Sequence, residues 1–99
     1  MTPEGKVKTK VKKALSEYDN LFLYMPVQTG YGRAGIPDFV GCIGSRFFAV
    51  ECKAGRGELT ALQVRTLQQI RDAGGKTWVV NEVSMDKFIK EFSEWILEM

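Results

Sequence analysis

The 99-residue chain contains no histidine. That excludes a histidine general base and histidine-ligated zinc, and it leaves no imidazole to activate a cysteine nucleophile. Two cysteines, Cys42 and Cys52, cannot by themselves supply a structural zinc site. Neither is expected to form a bridge; both are read as small buried hydrophobes in a reducing compartment. No apolar run approaches membrane-spanning length. Met1 is followed by Thr2, Pro3 and Glu4 rather than by an apolar signal core. The expectation is a soluble intracellular protein with no membrane partner. Repeats, linkers and low-complexity segments are also missing. The net charge of +2 is too small to argue nucleic-acid binding alone, so the distribution of charge has to carry that question.

What is present is an ordinary globular composition, 44% hydrophobic and 26% charged, which points to one domain over residues 1–99. A core of modest size follows, and a second subunit would enlarge it. The informative stretch runs from Gly35-Ile36-Pro37-Asp38 to Glu51-Cys52-Lys53. It reads as two strands, Pro37 to Ile43 and Arg46 to Lys53, joined at Gly44-Ser45. A Gly-first two-residue loop suits a type II′ turn. That register opposes Ile43 to Arg46, Cys42 to Phe47, Val40 to Ala49 and Asp38 to Glu51. Side chains alternate across a sheet, so Asp38, Glu51 and Lys53 share a face, while Cys42 and Cys52 lie on opposite faces. Like charges directly opposed in an antiparallel pair destabilise it. A divalent cation bound by the two carboxylates would account for them, with Mg²⁺ or Mn²⁺ suited to oxygen ligands. The alternative is a frayed sheet end whose acids are solvated or paired with Lys53 and a nearby arginine.

The rest of the chain supplies layers around that hairpin. Thr2 as N-cap, Pro3 and Glu4 start a helix, and Val7, Val11 and Leu15 give its buried stripe. Lys6, Lys8, Lys10, Lys12 and Lys13 make it strongly basic, either as a solvated face or for phosphate contact. Leu21 to Val27 reads as a strand despite Pro26. A Gly-rich loop then presents Tyr31 and Arg33, candidates to grip a nucleic-acid backbone. The hairpin is apolar on both faces, which implies layers on both sides. After the Ala54–Glu58 loop, Thr60 and Gln63 form a capping-box pattern. Leu59, Leu62, Leu67 and Ile70 give the stripe of that second helix, and Gly74-Gly75 ends it. Thr77 to Val80 is a strand expected to run parallel to Arg46–Lys53 after a crossover. Gln63 then points back towards the carboxylates. Ser84 opens a last helix whose stripe of Phe88, Ile89, Phe92, Trp95, Ile96 and Met99 serves the core, a second copy, or both.

Taken in order, Glu4, Gly35-Ile36-Pro37-Asp38, Glu51-Cys52-Lys53, Leu59-Thr60 with Gln63, Gly74-Gly75 and the Trp78-Val79-Val80 strand resemble the PD-(D/E)XK nuclease superfamily. Within it they resemble the virus-type replication-repair nuclease (VRR-NUC) domain, from Glu4 to about Val83. The resemblance implies a restriction-endonuclease-like α/β fold, a mixed central sheet flanked by helices in the order α-β-β-β-α-β-α. It implies a Mg²⁺-dependent deoxyribonuclease, with Mn²⁺ able to substitute, hydrolysing phosphodiester bonds. Asp38 and Glu51 would bind metal, joined by the Cys52 backbone carbonyl and by Glu4 as a further candidate ligand. Lys53 and Gln63 would complete the catalytic set. Lys6, Lys8, Lys10, Lys12, Tyr31, Arg33 and Arg56 would bind DNA. The short stand-alone members imply a homodimeric Holliday junction resolvase acting on branched DNA in the cytoplasm of a bacterial or phage-infected cell. A monomeric flap- or end-directed nuclease and a non-catalytic nucleic-acid-binding module remain the alternatives.

Overall fold

A computed structural model describes residues 1–27 and 32–98. Tyr31, one of the expected DNA contacts, and Met99 of the last stripe lie outside the described residues. Helix α1 (Pro3–Leu15) is followed by β1 (Leu21–Tyr24), β2 (Phe39–Ile43) and β3 (Arg46–Cys52), then α2 (Ala61–Asp72), β4 (Lys76–Val80) and α3 (Met85–Leu97). The strands form one sheet in the order β1-β2-β3-β4. The first two pairings are antiparallel and β3–β4 is parallel. The expected element order is therefore present, as a mixed α/β fold with three helices on a four-stranded sheet. No helix among the described residues is long and apolar enough to cross a membrane.

Helix ends follow local chemistry. Thr2 Oγ1 accepts the Gly5 N–H at 3.0 Å, and Pro3 sits in the first turn. The Thr60–Gln63 capping box is reciprocal. At the other end of α2, the Gly75 N–H donates to the Ile70 carbonyl and the Gly74 N–H to that of Arg71. With Gly74 at φ +100°, this is a Schellman closure that a side chain would strain. Ser84 stands at the N-cap of α3 without capping it; its hydroxyl instead accepts the Asn81 N–H.

Besides one-residue shifts at the end of β3 (Cys52, not Lys53) and the start of β4 (Lys76, not Thr77), three strand details differ from expectation. Gly44 and Ser45 both have positive φ, 56° and 68°, so the turn is type I′ rather than II′. Both types close a two-residue loop, so the register is as expected, Ile43 opposite Arg46 and Val40 opposite Ala49. Strand β1 stops at Tyr24, before Pro26, which has no N–H for a ladder. β2 begins at Phe39, not Pro37, because Pro37 has no donor and the Asp38 N–H bonds to a side chain, Glu51 Oε1.

The core lies between one face of the sheet and α1 plus α3. Phe39, Ile43, Phe48, Val50, Cys52, Trp78 and Val80 meet Val7, Val11, Leu15, Phe88, Phe92 and Trp95 there. Phe92 is central, with ring contacts to Tyr18, Phe48, Trp78, Phe88 and Trp95 at centroid distances of 5.1 to 5.8 Å. The α3 stripe thus belongs mainly to the core, although Ile89 stays exposed. Arg46 stacks on Trp95 at 4.1 Å and donates to its carbonyl.

The other face is covered only in part. A helix is about 10 Å wide and strands lie about 4.8 Å apart, so one helix shields two strands. Helix α2 packs on β3 and β4. Phe22, Tyr24, Cys42 and Phe47 on that face stay exposed, and Cys42 is not the buried hydrophobe expected. Leu62 is likewise exposed, and Thr66 and Leu67 are the buried residues of α2.

Phe92→Ala should cost about 3–5 kcal/mol, the range for emptying a large aromatic site. Urea unfolding would show it as a lower midpoint with an unchanged m-value.

Candidate metal and phosphate site

The site forms where the hairpin ladder ends. Past Phe39–Val50 the two strands exchange side-chain bonds in place of backbone pairs. The Asp38 N–H donates to Glu51 Oε1 at 3.2 Å, and the Cys52 N–H donates to Asp38 Oδ2 at 2.8 Å. Each strand's backbone is thereby held by the other strand's carboxylate. The two acids face one another, as the register requires, and Glu51 is buried. The chain reaches Asp38 through Gly35, whose φ is +80°. A Cβ there would fall 2.7 Å from the Leu62 carbonyl carbon and oxygen, so only glycine lets this loop pass against the first turn of α2.

That first turn adds the next group. Gln63 Oε1 accepts the Thr60 N–H at 2.9 Å, which fixes the amide and aims its Nε2 at Glu51 Oε2, 3.0 Å away. Lys53 Nζ lies 3.8 Å from the same oxygen. On the other side, Lys8 Nζ approaches from α1 to 3.2 Å of Asp38 Oδ1, and Glu4 Oε2 is 3.6 Å from the same ammonium. Asp38, Glu51, Lys53 and Gln63 are therefore directly connected, and Glu4 joins them through Lys8. The like charges do find cationic partners: Lys53 is one of the two the sequence offers, and Lys8 from α1 stands in place of the arginine.

The remaining candidates are dispersed. Lys12 follows Lys8 by one helical turn on the same side of α1. Lys6 and Lys10 occupy the flank towards Glu82 and Met85, away from Asp38. Arg33 bonds to Gln69, six residues and about 9 Å along α2 from Gln63. Arg56 is exposed on the loop after Lys53.

Electrostatics follow from this crowding. Burial, reinforced by the charge of Asp38, raises the Glu51 carboxyl to about 7 from its ordinary 4.5, against the opposing pull of Lys53. Burial would lower the Lys8 ammonium, but its hydrogen bond to Asp38 and the charges of Asp38 and Glu4 outweigh that and raise it. Burial pushes the Cys52 thiol well up, so it is inert as a nucleophile.

No protein-family model matches the chain, and no curated protein matches it. The resemblance drawn from the sequence therefore rests on the residues themselves.

The donor chemistry suits a hard divalent cation, because carboxylate oxygens and a backbone carbonyl are the ligands Mg²⁺ and Mn²⁺ take. Each carboxylate oxygen has two lone pairs, so one that accepts an N–H bond can still coordinate. The contacts standing in the way are the ammonium of Lys8 and, at longer range, that of Lys53. Among the described residues no three His, Cys, Asp or Glu side chains are grouped closely enough to hold an ion. Two carboxylates are the acidic side chains that the site offers.

The raised Glu51 carboxyl makes stability depend on pH in the metal-free protein. Below about pH 4.5 the group is protonated in both states and adds no slope. Between 4.5 and about 7 the folded protein keeps the proton and the unfolded chain has lost it, so stability falls as pH rises. In EDTA, the melting temperature should therefore drop between pH 5 and 7.5, and Glu51→Gln should flatten the drop. An equal drop in the variant would assign the slope to other groups.

Proposed function

We propose that the protein is a metal-dependent DNA endonuclease of the PD-(D/E)XK type, related to VRR-NUC domains and directed at branched DNA. One observation carries this reading. Two carboxylates from adjoining strand ends, a lysine two residues beyond the second, and a glutamine from the crossover helix converge on one point of the sheet. Asp38, Glu51 and the Cys52 carbonyl would hold Mg²⁺ or Mn²⁺, with Gln63 fixing the Glu51 rotamer. An ion held there would supply Lewis-acid polarisation of a phosphate and a lowered pKa for a bound water. Lys53 places an ammonium beside the same carboxylate, where it can offset charge that builds on the phosphate oxygens in the transition state. Lys12 and Arg56 extend positive charge on either side for the flanking backbone.

Branched DNA and a homodimer belong to the same proposal, since paired nicks across a junction need two such sites. A non-catalytic nucleic-acid-binding module is the second reading. It is favoured by the carboxylate bonding, in which every oxygen already has a donor.

The deciding assay compares a four-way junction, a flap and a linear duplex in Mg²⁺, Mn²⁺ and EDTA, with solution mass measured alongside. Paired nicks in the junction that need metal, from a dimeric species, are expected. Binding without cleavage in any metal selects the second reading. Asp38→Ala should abolish cleavage and leave DNA binding largely intact. Lys53→Ala should lower the cleavage rate by roughly 10²–10³-fold, the cost of losing one transition-state donor. For binding, Lys12→Ala should reduce the slope of log K against log salt by about 0.9. Lys10→Ala, on the other flank, should leave that slope in place.

A further inference from the structure

Lys8 has no place in the hydrolytic set above, yet it is bound more closely to Asp38 than Lys53 is to Glu51, at 3.2 Å against 3.8 Å. It comes from a different element, α1, and its side chain is about one-third exposed. The Asp38 oxygens divide the work. Oδ2 is committed to the Cys52 N–H at 2.8 Å, a bond that holds the strand ends together. Oδ1 has Lys8, so the Asp38 oxygen with no backbone donor already carries a cation. Glu4, one turn earlier on α1, lies 3.6 Å from the same ammonium and offers it a second partner outside the hairpin.

We infer that Lys8 is an internal counter-ion that competes with the divalent cation for Asp38 Oδ1 and is displaced towards Glu4 or a DNA phosphate when the cation binds. The inference rests on the metal site proposed above and adds a positioning residue to it. Its physical basis is that an ammonium and a dication on one carboxylate oxygen repel each other at close range. Their repulsion at about 5 Å, even with the screening of water, corresponds to roughly tenfold in affinity. The long, flexible lysine stem makes the exchange a rotamer change with no proton transferred. The ammonium lowers the repulsion between the two carboxylates in the metal-free protein. Its release supplies positive charge for phosphate as the metal arrives. Occupation of the site and grip on DNA are then linked, each favouring the other.

The test reads metal affinity without DNA. Free Mn²⁺ is followed by electron paramagnetic resonance during titration of the wild type, Lys8→Met, Lys8→Gln, Lys8→Arg and Lys10→Met, with circular dichroism confirming that each is folded. Lys8→Met and Lys8→Gln should bind Mn²⁺ roughly tenfold more tightly than wild type. Lys8→Arg, which keeps the charge, should stay near wild type. Lys10→Met removes an equal charge from the opposite flank of α1 and should also stay near wild type. Wild-type binding with no gain in either neutral Lys8 variant overturns the inference and leaves the metal reading standing. An equal gain in Lys10→Met overturns it too, because net charge alone would then be the cause. Absence of Mn²⁺ binding in every protein overturns both.

Discussion

The fold's functional end depends on an exchange of bonds between two strands. At the point where β2 and β3 part, the Asp38 carboxylate takes the Cys52 N–H and the Glu51 carboxylate takes the Asp38 N–H. Backbone donors left unpaired in a buried setting would cost about 1–3 kcal/mol each. The acids prevent that and are held rigid by it. Two negative groups then occupy a small, partly dry space, and the rest of the site is a response. Lys8 and Lys53 offset the charge, Gln63 clamps one carboxylate, and burial still drives the Glu51 carboxyl up to about 7.

This arrangement gives the two opposed like charges cationic and amide partners. Their repulsion is offset by two ammonium groups and an amide. The supporting elements are rigid where they must be. Gly35 permits close passage of the loop against α2, the capping box fixes Gln63, and the Schellman closure ends α2 so that β4 can run back beside β3.

The fold also leaves a face open. With α2 over β3 and β4, the outer side of β1 and β2 shows Phe22, Tyr24 and Cys42 to solvent, joined by Phe47 at the start of β3. Among the described residues, strand β1 is in addition an edge of the sheet. Apolar sheet surface beside an unpaired edge usually marks an association surface, and it lies apart from α3, whose apolar stripe is largely spent on the core.

Local chemistry along the chain was enough to determine the order of elements, the hairpin register, the α2 capping box and the meeting of Asp38 with Glu51. Those features depend on neighbours in sequence, on alternation along a strand and on a two-residue turn, all of which survive translation from residues to geometry. Gly44-Ser45 pointed to type II′, which needs glycine only at the first position, yet Ser45 adopts a positive φ of 68° and makes the turn type I′. Other features were decided by tertiary structure alone. Lys8 looked like any other member of a basic helix until α1 was laid across the sheet and one of its five lysines met Asp38. Cys42, Leu62 and Arg33 took their surroundings from how far α2 reaches across the strands, a distance that no local pattern encodes. Helical spacing says which side chains share a flank, but only packing says what that flank will face.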